Sequence, residues 1–204
     1  MKKVLLFIMI VFSSLDLYSL ERIYGPGSYR TNNGNKFWVS AYKNSSGYYN
    51  LSIWTKYWSR RVEGDVDLYV YIHNDIIPRF KSNLRTASMK CQEWGNVAKE
   101  NSLSYYSKDL PIEISYSEIS CFDLSHPNDT EIDCTFNYYD SDGPSVTFHF
   151  IARQVNNGGI QHAYGTYIVL QPDEILELID EFDVIISDQR NRDIRETQLD
   201  KLFK

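Results

Sequence analysis

Four histidines are the first side chains in this sequence that could carry chemistry, since imidazole binds metal ions and transfers protons near neutral pH. They are His73, His126, His149 and His162. His149 and His162 fall on the two arms of one expected hairpin, but its turn sets His149 nearer Thr166. The two rings need not meet, and the pattern therefore predicts no metal site.

A second candidate is the acidic run at Asp140, Asp142 and Gly143, which shares these positions with the start of a calcium-binding loop. The series of oxygen ligands stops there, and no glutamate closes it at the required distance. A tight turn between two strands accounts for the same residues. We expect no metal or other cofactor.

Known catalytic motifs are absent from the sequence. It contains no Gly-x-Ser-x-Gly elbow, no phosphate-binding glycine loop and no His-Glu-x-x-His. Cys91 lies on an apolar helical stripe, where burial would leave it unreactive. The sequence thus favours a non-catalytic protein, with an enzyme or enzyme inhibitor whose site lies in loops, such as that at His73-Asn74-Asp75, as an alternative.

The cysteines bear on the redox environment. Cys121 and Cys134 lie on two strand-like runs that can fold back through the turn at Ser125–Asp129, which sets them opposite each other. An exported protein often forms disulfides. Cys121 and Cys134 are therefore a candidate disulfide, and three buried thiols are the alternative.

The N-terminus has the pattern of a secretory signal peptide. Met1-Lys2-Lys3 is followed by an apolar run at Val4–Phe12, and Ser19 offers a small residue for cleavage. The run is too short to cross a bilayer as a helix. We expect residues 1–19 to be a leader and the protein to be exported, periplasmic or extracellular, with no stable membrane span afterwards. A buried N-terminal strand or helix is the alternative.

Charge and composition limit the choice of partner. The 204 residues carry a formal charge of −6, and their basic side chains do not cluster. A protein that binds the phosphate backbone needs a basic face. We therefore expect no nucleic-acid partner.

Two segments have the period of an amphipathic helix. Within Ile76–Asn101, seven residues recur at steps of three and four: Ile77, Phe80, Leu84, Ala87, Cys91, Trp94 and Ala98. A second helix begins near Pro172, with a stripe formed by Ile175, Leu178, Ile179, Phe182 and Ile186. Residues 189–204 are polar and charged, and form either a tail or an extension of this helix.

Short turns separate alternating strands before each helix, which is typical of antiparallel hairpins. The pattern predicts an α+β fold, with one or more antiparallel sheets and two amphipathic helices packed on them. Residues 20–188 would form a single domain. A strand-strand-strand-helix pattern in each half, 20–101 and 102–188, also fits two tandem units.

One feature of the first predicted sheet points to function. Its outward positions are strongly aromatic and comprise Trp38, Tyr42, Tyr48, Trp54, Trp58, Tyr69 and Tyr71. Such a face is either covered, tolerated at the boundary with water, or used for binding. We predict a non-catalytic binding module that uses this face for a glycan or a protein. A structural component of an envelope assembly is a further alternative.

Overall fold

A computed structural model of the chain describes residues 20–22, 27–59, 63–121, 129–156 and 159–203. For residues 22, 57–59, 156 and 159–164 it describes the backbone only. The predicted leader lies outside the described residues. In chain order the elements are β1 (Glu21–Arg22), β2 (Ser28–Arg30), β3 (Lys36–Lys43), β4 (Tyr49–Ser59), β5 (Gly64–Ile72), α1 (Ile77–Glu100), β6 (Tyr105–Asp109), β7 (Glu118–Cys121), β8 (Asp129–Tyr139), β9 (Gly143–Asn156), β10 (Gly159–Leu170) and α2 (Pro172–Leu202).

The strands form two antiparallel sheets. The first has the order β1-β2-β3-β4-β5-β7, and the second has the order β10-β9-β8-β6. Along β3 and β5, side chains alternate between buried and less buried positions, as a sheet with one face on the core requires. The predicted α+β fold, with antiparallel sheets and two helices, is confirmed.

Each helix follows one sheet along the chain but packs mainly against the other. The first helix, α1, contacts β8 and β9 of the second sheet, and α2 contacts β3 and β4 of the first. The two helices also contact each other, with the rings of Phe80 and Phe182 5.8 Å apart. The predicted halves are therefore interlocked through their helices.

The apolar stripes of both helices are largely buried as expected, although on α2 Ile185 is buried and the predicted Ile186 is only half-buried. Ile77, Phe80, Leu84 and Ala98 are buried on α1, while Trp94 is half-buried. The buried apolar residues of both sheets and both helices belong to one cluster. At its centre, a cavity of about 20 Å³ is lined by Phe37, Phe80 and nine other apolar residues. This continuous burial is the main stabilising contribution to the fold.

The C-terminal segment is helical. Residues 189–202 continue α2, and nearly all of them are exposed. Near the start of this extension, Asp193 accepts a hydrogen bond of 2.7 Å from the Tyr49 hydroxyl. Within the described part of the chain, no helix is long and apolar enough to cross a membrane.

The expectation that the strand holding Cys121 pairs with the strand holding Cys134 was wrong. Only Glu118–Cys121 forms a strand, and it pairs with β5 of the first sheet instead of with β8. Pro111 and a tight turn, in which Ile112 donates to the Leu110 carbonyl, divert the chain away from β8. Cys121 and Cys134 therefore lie on different sheets, and Cys134 is a buried thiol. The predicted disulfide is absent.

Candidate functional site

Five of the predicted binding residues form a connected group of rings on the outward face of the first sheet, which we call the aromatic layer. It consists of Trp38, Tyr42, Trp54, Tyr69 and Tyr71, all half-buried. The register of β3, β4 and β5 places Trp38, Trp54 and Tyr69 in one row across the sheet. The layer thus follows directly from strand alternation and register.

The rings of this layer stack on one another. Trp38 and Trp54 have ring centroids 4.1 Å apart and an angle of 11° between their planes. Trp54 and Tyr69 are 5.8 Å apart at 30°, and Tyr69 and Tyr71 are 6.1 Å apart at 10°. Tyr42 instead meets Tyr71 edge to face, at 6.1 Å and 88°. Stacking of Trp38, Trp54 and Tyr69 on adjacent strands at close to the strand spacing means that these rings stand upright on the sheet. The layer therefore presents ring edges outward, while many of its ring faces are used in internal contacts.

Two predicted residues fall outside the layer. Tyr48 lies just before β4, where its side chain is 60% exposed. The side chain of Trp58 lies outside the described residues. Five of the seven predicted residues therefore lie on the outward aromatic face. Tyr48 is exposed but precedes the strand, and the prediction for the Trp58 side chain stays a prediction.

The layer ends in a cleft between the two sheets, which we call the Trp38 cleft. Its volume is about 720 Å³. Trp38 lines the cleft from the first sheet, and Tyr167 of β10, which is 52% exposed, lines it from the second.

Charged residues add polarity to the Trp38 cleft. Lys36 and Lys56 both line the cleft. Phe37 on β3 is paired with Thr55 on β4, so the next position on each strand sets Lys36 opposite Lys56. Neither lysine forms a salt bridge with a described residue. Asp65 also lines the cleft, and Asp67 lies opposite Lys56 on β5, so both signs of charge surround the cleft and a polar ligand would find donors and acceptors there.

A smaller hollow of about 280 Å³ adjoins the Trp38 cleft and shares Asn35 and Tyr167 with it. Its other lining residues include Asn33, Asn137 and Tyr139. The Asn35 side chain accepts a hydrogen bond of 3.1 Å from the Val169 amide, which fixes its position between the two sheets. The two hollows together offer amides and aromatic rings along one groove.

The second sheet carries a further cavity, of about 770 Å³, beside β8. Glu131, Asp133 and His149 line it, and β-pairing sets Asp133 directly opposite His149. A hydrogen bond with Glu131 raises the pKa of Asp133, and a hydrogen bond from Arg153 is the main cause of the lowered pKa of Glu131. Such a carboxyl pair can hold a proton at higher pH than an isolated aspartate can.

These groups allow acid–base chemistry but do not include an activated thiol. Burial raises the pKa of Cys134 to about 12 and that of Cys91 to about 12, so both remain protonated at neutral pH. Among the described residues, no group of three or more His, Cys, Asp or Glu side chains is arranged to hold a metal ion.

The sequence analysis did not connect Glu131 and Asp133 with His149, because their meeting depends on the strand register. The observed register pairs His149 with Tyr167, one residue from the expected Thr166. Tyr167 and Lys36 were not predicted as site residues, because their meeting depends on how the two sheets approach each other. The sequence contains no local signal for that approach.

Comparisons of the chain with family models, curated proteins and solved structures find no match. The functional argument therefore depends on the geometry of this molecule.

Proposed function

We propose that the protein is an exported, non-catalytic binding protein and that it holds a glycan in the Trp38 cleft. One observation carries this proposal: Trp38 and the exposed Tyr167 line the same cleft, together with two lysines that form no salt bridge with a described residue. Aromatic rings provide apolar contact for the C–H faces of a sugar, and amides and lysines hydrogen-bond its hydroxyl or carboxylate groups.

The geometry of the aromatic layer favours the cleft over the flat sheet surface as the binding site. Trp54 is stacked between Trp38 and Tyr69, so both of its faces have ring neighbours. Trp38 is the ring at the end of this row and the one that lines the cleft. The layer therefore holds Trp38 rigidly, and rigid positioning lowers the entropic cost of binding.

A glycan array probed with the labelled full chain tests this proposal, followed by calorimetric titration of the strongest binder. We expect neutral and acidic oligosaccharides to bind, with Tyr167→Ala lowering affinity about tenfold through loss of one stacking ring. Tyr48→Ala is the matched control, because Tyr48 is equally exposed but does not line the cleft. Absence of glycan binding, or an equal loss in Tyr48→Ala, would overturn the proposal.

A second candidate function is an enzyme, favoured by the pairing of Asp133 with His149. The ring of His149 lies 6.1 Å from that of Tyr167, so a glycan in the Trp38 cleft would extend toward this pair. A carboxylic acid with a raised pKa can serve as a general acid. Chromatography of the bound glycans after incubation tests for cleavage. Cleavage lost in Asp133→Asn with binding retained would support the enzyme, and intact glycans would support the binding protein.

A further inference from the structure

Leu20 is held in the fold through both its side chain and its backbone nitrogen. Its side chain is 9% exposed and belongs to the common apolar core. Its backbone nitrogen donates a hydrogen bond of 2.7 Å to Oε2 of Glu177 on α2. The next residue, Glu21, pairs with Arg30 of β2 through the strand register and through a salt bridge of 3.1 Å. The contacts of the fold therefore include the Leu20 nitrogen itself.

Glu177 is one of three glutamates on α2 whose carboxylates accept hydrogen bonds from the N-terminal part of the chain. Glu174 accepts one from the Asn32 amide, and Glu181 accepts one from the Tyr29 hydroxyl. Steps of three and four residues set the three carboxylates on one side of the helix. Glu177 forms no salt bridge with a described residue. Burial is the main cause of the raised pKa of Glu174, and the charge of Glu177 adds to it. A cation at Glu177 would therefore relieve repulsion on this side of α2.

The predicted leader ends at Ser19, the small residue before the expected cut. Hydrolysis of the peptide bond between Ser19 and Leu20 transfers a hydroxyl group from water to the Ser19 carbonyl carbon and a proton to the Leu20 nitrogen. At neutral pH the new carboxyl group releases its proton, and the new amine takes one up and becomes an ammonium group. This cut keeps the Leu20 side chain in the core, whereas a cut one residue later would remove it.

We propose that a signal peptidase cuts the exported protein between Ser19 and Leu20, and that the new α-ammonium group of Leu20 forms an ion pair with Glu177. Before the cut, the Leu20 nitrogen gives Glu177 only the hydrogen bond of a neutral amide. After the cut, the same atom carries a positive charge at the same carboxylate, which makes the hydrogen bond about twice as strong. The pair joins the first residue of the mature chain to α2, 157 positions away. This pairing rests on the export that we propose above but not on glycan binding.

Two chains that differ by one residue separate the ion pair from the amide hydrogen bond. Each is released from an N-terminal fusion by a protease that leaves no extra residue, and one begins at Leu20 while the other begins at Ser19. Both carry one α-ammonium group, so their net charge is the same. In the longer chain this charge lies one residue away from the nitrogen that contacts Glu177. Urea unfolding measures the unfolding equilibrium constant of each chain.

We expect the unfolding equilibrium constant of the chain that begins at Leu20 to be about fivefold smaller. Glu177→Gln in both chains should abolish this difference, because glutamine keeps a hydrogen-bond acceptor but has no charge. Asp180→Asn is the matched control, since it removes one carboxylate from an exposed position of the same helix, and it should leave the difference unchanged. The full chain, expressed in a bacterial host with its leader, should yield an exported protein whose intact mass corresponds to residues 20–204.

Four results would overturn the proposal. Equal stability of the two chains would show that the ammonium group gains nothing at Glu177. A difference that persists in Glu177→Gln, or that disappears in Asp180→Asn, would assign the effect to another group. A mature mass that begins at a residue other than Leu20 would exclude this cleavage site, and retention of residues 1–19 would count against export as well.

Discussion

Gly95 offers a sharp test of how α1 packs on the second sheet. It is buried, and an added Cβ would lie 2.6 Å from Cβ and 2.7 Å from Cγ of Pro144 on β9. Two effects compete in Gly95→Ala. Alanine favours the helix by about 1 kcal/mol, whereas overpacking costs about 1–3 kcal/mol.

The rigidity of Pro144 decides between these effects. Its ring cannot rotate away from α1 as a flexible side chain would, so the cost should lie in the upper half of the range. We therefore expect Gly95→Ala to lower the free energy of unfolding by about 1–2 kcal/mol. At about 2–4 °C per kcal/mol for a chain of this size, Tm should fall by several degrees.

Urea unfolding followed by circular dichroism measures this change. Asn96→Ala is the matched control, because Asn96 is exposed on the same helix and gains helix propensity without a clash; it should stabilise the protein by about 0.5 kcal/mol. A Gly95→Ala protein more stable than the original would refute the close contact between Gly95 and Pro144.

Three further predictions concern buried polar groups and thiols. Burial raises the pKa of Glu174, so its contribution to stability is present below its ordinary value of 4.5 and is lost as pH rises through its folded value. Chemical unfolding at several pH values should show that Glu174→Gln removes this decline. Lys81→Met should change the free energy of unfolding by less than about 1 kcal/mol, because its partner Asp183 is largely exposed; a larger loss would contradict this. Mass spectrometry of the denatured, non-reduced protein after alkylation should show a label on all three cysteines. A label on only one cysteine would show that the other two form a disulfide.

The helices and most strands could be predicted from sequence because each has a periodicity of its own. The stripe of α1 needs no knowledge of its partner, and neither does the alternation along β5. Which sheet each helix covers could not be predicted, since the inner faces of both sheets are aliphatic and aromatic alike. The path of Leu110–Ser117 could not be predicted either. At Pro111 a tight turn competes with continuation of the strand, and the sequence does not show which of the two forms.

The candidate site shows the same division. Strand parity placed Trp38 and Trp54 on one face correctly, because parity is local. The upright stacking of their rings depends on the cross-strand register, and the Trp38 cleft depends on the approach of Tyr167 from the other sheet. Sequence reasoning could therefore find the rings but not the part of them that a ligand could reach.

The interlocked helices connect the fold with the Trp38 cleft. One side of the cleft is formed by residues on and beside β3, β4 and β5, including Trp38 and Lys56, and the other by residues 165–167 of β10 in the other sheet. Each sheet needs the helix that follows the other sheet to cover its core face. Neither half can bury its core alone, so the cleft forms only when both halves have folded together. A glycan bound to both sides should stabilise the whole fold and not one half of it, because binding to the native state shifts the entire cooperative equilibrium.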